Sequence, residues 1–390
     1  MFEELTAIPS ALTDDQQALR NLAREFTEKE VLPVANELDP SGGQIPLELR
    51  EKMAEVGFFG LRIPEEYGGL GLGATEYCIV AEELARGWMS VASILARGNG
   101  MMGSLSDEQK ARWYPRMVRG ELLGATAISE PEAGSDVANI SCRAVRSGDD
   151  WVITGTKMWC TFADGADYIT VFARTAEPSD PAKRHQGVSA FLFEKERGSF
   201  PDGVSGNRVR KIGYRGWDTW ELSFDNARVP GDALIGAEGV AFKYAMQGLD
   251  LARAHTAARS IGLARAALED SKKYMGERQV FGEPLNSFQY LRFKLAEMAT
   301  EIEAARQLMY SVCRQIDAGQ RASLGASMVK LFASEMAERA TSYGLQIHGG
   351  AGYTTDFALE RHWRDARLTK IFEGTSEIQM RIISDQILGR

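Results

Sequence analysis

The sequence is poor in the features that would tie it to several large functional classes. Its four cysteines (Cys78, Cys142, Cys160 and Cys313) lie far apart, with no CxxC pair and no histidine at metal-ligand spacing. No disulfide framework and no metal site are expected, and a reducing compartment, the cytoplasm, fits this usage. No uncharged apolar run reaches the roughly 18 residues that suggest a membrane helix. The opening stretch MFEELTAIPSALTDD is acidic and lacks the basic-then-apolar layout of a signal peptide. Positive charge is also short: 45 Lys and Arg against 54 Asp and Glu leave a net charge of −9. That is the wrong sign for a general nucleic-acid binder, which needs a basic footprint to neutralise phosphates.

Familiar catalytic strings are missing as well. The glycines of residues 68–73 (GGLGLG) have the wrong spacing and no preceding strand for a dinucleotide fold, and P-loop, GxSxG and HExxH patterns do not occur. The four histidines (His185, His255, His348, His362) are isolated and read as surface or packing residues. What remains is ordinary globular composition, 44% hydrophobic and 25% charged over 390 residues. That length suits two to three domains or one large layered unit.

Proline scarcity divides the chain. After Pro230 only Pro284 occurs in the remaining 160 residues, leaving that stretch free to form long helices. Leu291, Leu295, Met298, Ile302, Ala305, Met309, Val312 and Ile316 recur at steps of three and four, and residues 332–345 and 378–388 read likewise. The N-terminal part is also helical: Thr13 with Gln16 reads as a capping box, followed by Leu19, Leu22 and Phe26 on one face, and a helix is predicted over 76–96. Between them, residues 151–154, 168–173, 188–193 and 220–224 are short, β-branched and aromatic-rich, separated by Gly, Asp, Pro and Ser. Helices, strands, then helices predict an α+β protein: an N-terminal helical domain (1–123), a central β-domain (124–236) and a C-terminal helical bundle (237–390).

Five strings carry candidate chemistry. Residues 129–136 (SEPEAGSD) combine hydroxyls, Pro and Gly in a turn whose backbone N–H groups suit an anion. In 155–161 (GTKMWCT), Trp159 and Thr161 are two apart on a strand and so share a face, offering a ring and a donor to one planar ligand. Residues 278–282 (RQVFG) set a cation beside an aromatic and a turn, and 346–352 (QIHGGAG) end a helix in a glycine loop. Residues 372–379 (FEGTSEIQ) place Glu373 before a capping box read as Ser376 with Gln379, at the positive end of a helix dipole.

These five strings in this order, with 58–73 (FFGLRIPEEYGGLGLG) ahead of them, resemble the acyl-CoA dehydrogenase family over essentially the whole chain. The resemblance implies an N-terminal helical domain, a β-barrel or sandwich and a C-terminal four-helix bundle. It also implies FAD held non-covalently, a homotetramer built as a dimer of dimers, and electrons passed to an electron-transfer flavoprotein. By similarity, residues 126–135, including Thr126, Ile128, Ser129 and Ser135, run along the flavin and its phosphates. Trp159 stacks by the flavin ring and Thr161 bonds near its N5, while Thr375 and Glu377 touch FAD from the other side. Arg278, Phe281, Gln289, Gln346, Gly349 and Gly350 hold the adenine half of a neighbouring subunit's FAD.

Glu373 matches the family's base. Some members carry that carboxylate on the helix occupied here by residues 250–253; Arg253 brings a cation to that segment, so the base is expected at Glu373. Ser135, Asp250 and Arg253 are expected at the coenzyme A thioester, with Gly374 beside its reacting end. The implied reaction removes an α-proton and a β-hydride from an acyl-CoA to give a trans-2-enoyl-CoA. An acyl-CoA oxidase, a carrier-protein-linked dehydrogenase and a family flavoprotein without dehydrogenation are the rival readings.

The sequence departs from the family pattern in places. Phe372 stands where Tyr is frequent, Glu377 where Gln is frequent, and Cys160-Thr-Phe-Ala replaces Ile-Thr-Asn-Gly. The stretch from Ala96 to Asp107 is shorter than usual. Arg97 falls where the acyl pocket is ordinarily bounded, so it either reaches solvent or makes one wall of the pocket polar.

Overall fold

A computed structural model describes residues 12–98 and 104–390. Residues 99–103 of the shortened stretch lie outside it.

The N-terminal region is helical: α1 (Asp14–Phe26), α2 (Leu32–Leu38), α3 (Leu47–Glu55), α4 (Ala74–Gly87), α5 (Met89–Ile94) and α6 (Asp107–Val118). The capping box at Thr13 forms as expected, with both reciprocal bonds to Gln16. Ala23 and Phe26 are buried on α1, whereas Leu22 is 44% exposed. The helix expected over 76–96 is broken. Trp88 is extended (φ −157°, ψ 117°) between α4 and α5, and Leu95–Gly98 forms a separate 3-10 turn. The cause is tertiary: Gly87 packs so closely on the chain after α1 that an added Cβ would lie 2.7 Å from Thr27 Cγ2. Trp88 is meanwhile pulled to Asp39, donating Nε1 to Oδ2 at 3.1 Å.

The middle forms an eight-stranded sheet. Its strands are β1 (Gly124–Ala127), β2 (Arg143–Ser147), β3 (Asp150–Thr161), β4 (Tyr168–Arg174), β5 (Val188–Glu194), β6 (Val204–Val209), β7 (Thr219–Val229) and β8 (Leu234–Ile235). The order is β6-β7-β3-β2-β4-β5-β8, with β1 parallel to β4 in the register Gly124↔Tyr168. Trp151, Ile153, Ile169, Val171, Phe191, Leu222 and Phe224 form one core of this region.

Three long helices follow: α7 (Ala241–Glu277), α8 (Gln289–Asp317) and α9 (Ser323–His348), then α10 (Leu359–Thr369) and α11 (Ser376–Leu388). A short hairpin, β9 (Gln279–Val280) and β10 (Glu283–Pro284), joins α7 to α8. The predicted period holds on α8, where Met298, Ile302, Ala305, Met309 and Val312 are buried. Helix α7 crosses α4 at Gly262, where a Cβ would sit 2.4 Å from the Glu82 carbonyl oxygen. Only hydrogen fits between the two backbones there. Asp39 ties the regions together: it accepts from Trp88, lies 3.9 Å from Arg215 of the β-domain and pairs with Arg364 of α10. Tyr214 N donates to Asp365 of α10 at 2.6 Å. These bonds fix the loop carrying Tyr214 and Trp217 against the segment that precedes α11.

Among the described residues no helix is long and apolar enough to cross a membrane.

Candidate active site

Glu373 sits in the turn between α10 and α11 with φ 54°, and Gly374 follows with φ 90°. Two left-handed residues in succession reverse the chain, and for a glutamate this conformation carries a cost of about 1 kcal/mol or more. The surroundings hold it there. Arg259 Nη2 donates to Glu373 Oε1 at 2.7 Å and Thr256 Oγ1 to Oε2 at 2.6 Å. From below, Lys330 Nζ and Gln379 Nε2 donate to the Gly374 carbonyl at 2.7 and 3.0 Å. Burial pushes the Lys330 ammonium down to about 8.

Thr256 and Arg259 are three apart on α7 and so present one face to the turn. Arg259 is 2% exposed at its side chain against 30% for Glu373. The carboxylate is thus the one partly open member of a closed group. Arg259 also donates Nη1 to Ser93 Oγ of α5 at 2.8 Å and lies 4.6 Å from the Phe372 ring centre. Phe372 packs edge-on against Tyr214, Tyr214 against Trp217, and Trp217 against Phe162, an aromatic wall that keeps water from one side of the carboxylate. His255, buried against Tyr77, has its pKa driven well below the ordinary value by burial and by Arg259, which keeps it neutral.

The capping box expected at Ser376 with Gln379 does not form, and the N-cap falls one residue earlier. Thr375 is the N-cap, accepting from Ile378 N at 3.3 Å, while Ser376 Oγ bonds Glu335 at 2.8 Å and Gln379 turns back to Gly374. The left-handed pair ends at Gly374, so Thr375 is the last extended residue and takes the cap. Glu377 is exposed on the first turn of α11.

On the β-domain, Thr126 is exposed, Ile128 and Ser129 are half-buried and Ser135 is exposed. Residues missed in the sequence organise this stretch. Glu130 is buried and accepts from Ser141 N at 2.7 Å and Cys142 N at 2.9 Å, and from Lys157 Nζ at 2.8 Å. Lys157 also reaches the Ile128 carbonyl at 3.0 Å, and Met158 N donates to Ser129 O at 2.8 Å. The turn is therefore locked to β3 beside Trp159. Simple strand alternation does not place Trp159, because β3 bulges between Lys157 and Cys160 and Trp159 has φ 63°. The bulge leaves Trp159 58% exposed, with Cys160 buried and Thr161 bonded to the Thr219 hydroxyl at 2.9 Å.

Arg253 is buried and 3.5 Å from Asp250 on α7, with its Nε lacking a partner. Burial raises the Asp250 pKa and lowers that of Arg253. Arg278, Phe281, Gln289, Gln346, Gly349 and Gly350 all lie on the surface, Phe281 at 97% exposure and in the left-handed region (φ 53°). The single chain does not bring these six to Glu373. Thr256, Arg259 and Lys330 escaped the sequence reading; their one signal was Thr256 and Arg259 at helical spacing one turn beyond Arg253, in an alanine-rich stretch.

The residues present fit a flavin. A planar ring finds the open Trp159 indole, and an anionic tail finds the Ser135 hydroxyl and an exposed turn braced from behind by Glu130 and Lys157. A carboxylate held beside a row of aromatic rings, with an open indole and an exposed turn on the β-domain, is an arrangement suited to flavin-dependent dehydrogenation.

Comparison with known proteins agrees. Family models for the acyl-CoA dehydrogenase N-terminal, middle and C-terminal domains match residues 13–121, 125–227 and 241–388. The (2S)-methylsuccinyl-CoA dehydrogenase of Cereibacter sphaeroides is 40% identical over 97% of this chain and 70% of its own length. The mitochondrial short-chain specific acyl-CoA dehydrogenase of Bos taurus is 38% identical over 97% of this chain and 91% of its own. A chain solved in work on the electron transferring flavoprotein of Acidaminococcus fermentans superposes with a TM-score of 0.92 at 36% identity, covering 98% of this chain and 100% of that one. A glutaryl-CoA dehydrogenase of Mycobacterium smegmatis, solved with FADH2, gives 0.89 at 29% identity, covering 97% and 96%. The chain belongs to the acyl-CoA dehydrogenase family and is an FAD-dependent oxidoreductase.

Proposed function

We propose that Glu373 is the base that takes the α-proton of an acyl-CoA thioester in this dehydrogenase. The observation that carries the assignment is its carboxylate, partly open while Arg259 and Thr256 hold both oxygens from a buried helix face. The α-proton of a thioester is very weakly acidic, so a base must be aimed at it in a site poor in water and the carbonyl oxygen must be polarised. Phe372, Tyr214 and Trp217 exclude water. The amides of Glu373 and Gly374 donate to no backbone carbonyl among the described residues, which leaves them for the thioester oxygen. Bound FAD supplies the acceptor for the β-hydride.

Thr126, Ile128, Ser129, Ser135, Trp159 and Thr161 line the flavin side, with Thr375 and Glu377 opposite. Asp250, Arg253 and Ser135 meet coenzyme A, and Gly374 lies at the thioester. Arg278, Phe281, Gln289, Gln346, Gly349 and Gly350 reach a second subunit's FAD in a homotetramer, which would cover the exposed Phe281. An electron-transfer flavoprotein takes the electrons, supported by the flavoprotein work that yielded the similar chain. The protein works in the cytoplasm, where its free cysteines stay reduced. Anaerobic titration with an acyl-CoA panel, followed by loss of flavin absorbance in wild type and Glu373→Gln, tests the base; no bleaching by any acyl-CoA in the wild type would overturn it.

A further inference from the structure

A second guanidinium enters the same cleft from the N-terminal region. Arg97 lies in the 3-10 turn Leu95–Gly98, directly after α5. Its guanidinium covers the Trp217 indole, 5.3 Å from the ring centre. Trp217 begins the row of rings that runs through Tyr214 to Phe372, the residue before Glu373. Four residues before Arg97, Ser93 accepts from Arg259. Both cations also act on the buried ring of His255, which stays neutral between them. Arg97 and Arg259 are therefore linked, through α5 on one side and through the row of rings on the other.

The two cations differ in their partners. Arg259 has Glu373, as Arg253 has Asp250 and Arg364 has Asp39. Arg97 makes no ion pair among the described residues, and its Nε is buried without a hydrogen-bond partner. Lys211 is close by but is itself a cation, spent on the carbonyls of Tyr214 and Trp217 at 2.9 and 2.7 Å. The cleft thus offers two guanidiniums to one carboxylate. An arginine remains charged inside a protein and has no neutral form to fall back on, so burying part of its fork without an anion is costly. A ligand carboxylate would remove that cost with charge-assisted bonds of matching geometry.

We propose that Arg97 receives a carboxylate at the far end of the acyl group, so that the preferred substrate is the coenzyme A half-thioester of a short dicarboxylic acid. This rests on the dehydrogenase reading of the Glu373 site. An alkyl end of the same length would leave the guanidinium unpaired and press a methyl group on it, and sites built to pair a polar group reject analogues lacking it strongly.

The test uses the FAD-loaded enzyme with succinyl-, methylsuccinyl- and glutaryl-CoA against butyryl- and pentanoyl-CoA. Rates of anaerobic flavin bleaching are compared in wild type, Arg97→Met and Arg97→Lys. Calorimetry then measures binding of the corresponding 2-enoyl thioesters, which requires no catalysis. The best carboxylated substrate should exceed the best alkyl one in kcat/KM by about 10²-fold or more. Arg97→Met should bring the ratio close to unity, mainly through KM, and Arg97→Lys should restore part of it. Product binding should follow the same pattern. Equal use of the alkyl thioesters by wild type, or an unchanged ratio in folded Arg97→Met, would overturn the proposal. If no thioester bleaches the flavin yet the carboxylated products bind preferentially and only when Arg97 is present, the anchor stands and the dehydrogenase reading fails. Binding without preference removes the anchor whatever the chemistry does.

Discussion

The Arg259 guanidinium lies 2.7 Å from the Glu373 carboxylate across the gap between α7 and the turn before α11, 114 residues apart in sequence. The cation is buried and the anion partly open, so the pair is asymmetric. Arg259 is a fixed charge: Nη2 also donates to Thr256 Oγ1, Nη1 to Ser93 Oγ and Nε to the His255 carbonyl. Glu373 is aimed by it instead of swinging freely. Such preorganisation would spare the proposed base a search for the reactive geometry.

Glu373→Gln should keep the protein yellow and able to bind acyl-CoA while slowing anaerobic bleaching by on the order of 10²–10⁴, the usual worth of a positioned base. The amide can still accept one bond from Arg259 but no longer neutralises it. A stability loss of roughly 1–3 kcal/mol is therefore expected, because a buried charge loses its counter-charge. Stopped-flow absorbance and urea denaturation give the two numbers. Near-normal bleaching would send the search for the base to Asp250.

Thr256→Val removes one of the two bonds to the carboxylate without touching its charge partner. A positioning role predicts a fall in kcat of about tenfold, worth roughly 1.4 kcal/mol, with KM nearly unchanged. Thr256→Ser should recover most of it, since the hydroxyl is what aims Glu373. A change confined to KM, or no rescue by serine, would contradict the role.

Arg278→Ala should release FAD more readily than wild type, and Phe281→Asp should shift the protein toward smaller assemblies in native mass measurements. The first loses a charge-assisted anchor and the second puts a charge on a ring that is 97% exposed in the single chain. A wild-type holoprotein that is strictly monomeric would exclude the shared-cofactor arrangement.

Asp365 gives a pH prediction. It is fully buried, with Oδ1 accepting from Tyr214 N and Oδ2 without a partner. Burial, reinforced by Asp39, raises its pKa from 3.8 to about 7. A raised carboxyl pKa means the folded chain keeps a proton that the unfolded chain has released. Its contribution to stability is present below 3.8 and lost as pH rises through about 7. Asp365→Asn mimics the protonated form. Relative to wild type it should gain on the order of 1–3 kcal/mol between pH 5 and pH 8, at about 1.4 kcal/mol per pH unit of differential titration. Urea midpoints that move in parallel for the two proteins would rule this out.

Much of the architecture was legible in the chain. The α8 heptad-like spacing, the Thr13 capping box and the β-branched runs of the middle region each encode a local preference, and burial reinforced it. Glu373 was legible as a candidate, because an acid between an aromatic and a glycine has little else to do locally. Two features were not. The break at Trp88 depends on Gly87 meeting Thr27 and on Asp39 capturing the indole, contacts that no local period reports. The exposed position of Trp159 comes from a bulge set by pairing with β7, where strict alternation assumes none.

The sequence by itself determined most of the helix and strand segments, since hydrophobic period, proline placement and capping residues act within a few residues. It also set the identity of the candidate base through a short local motif. Only the tertiary structure decided that Thr256 and Arg259 hold Glu373 and that Arg97 covers Trp217 with no ion pair among the described residues. Coulomb attraction and hydrogen bonding depend on distance in space, and folding brings α5, α7 and the turn before α11 to one place from three distant parts of the chain.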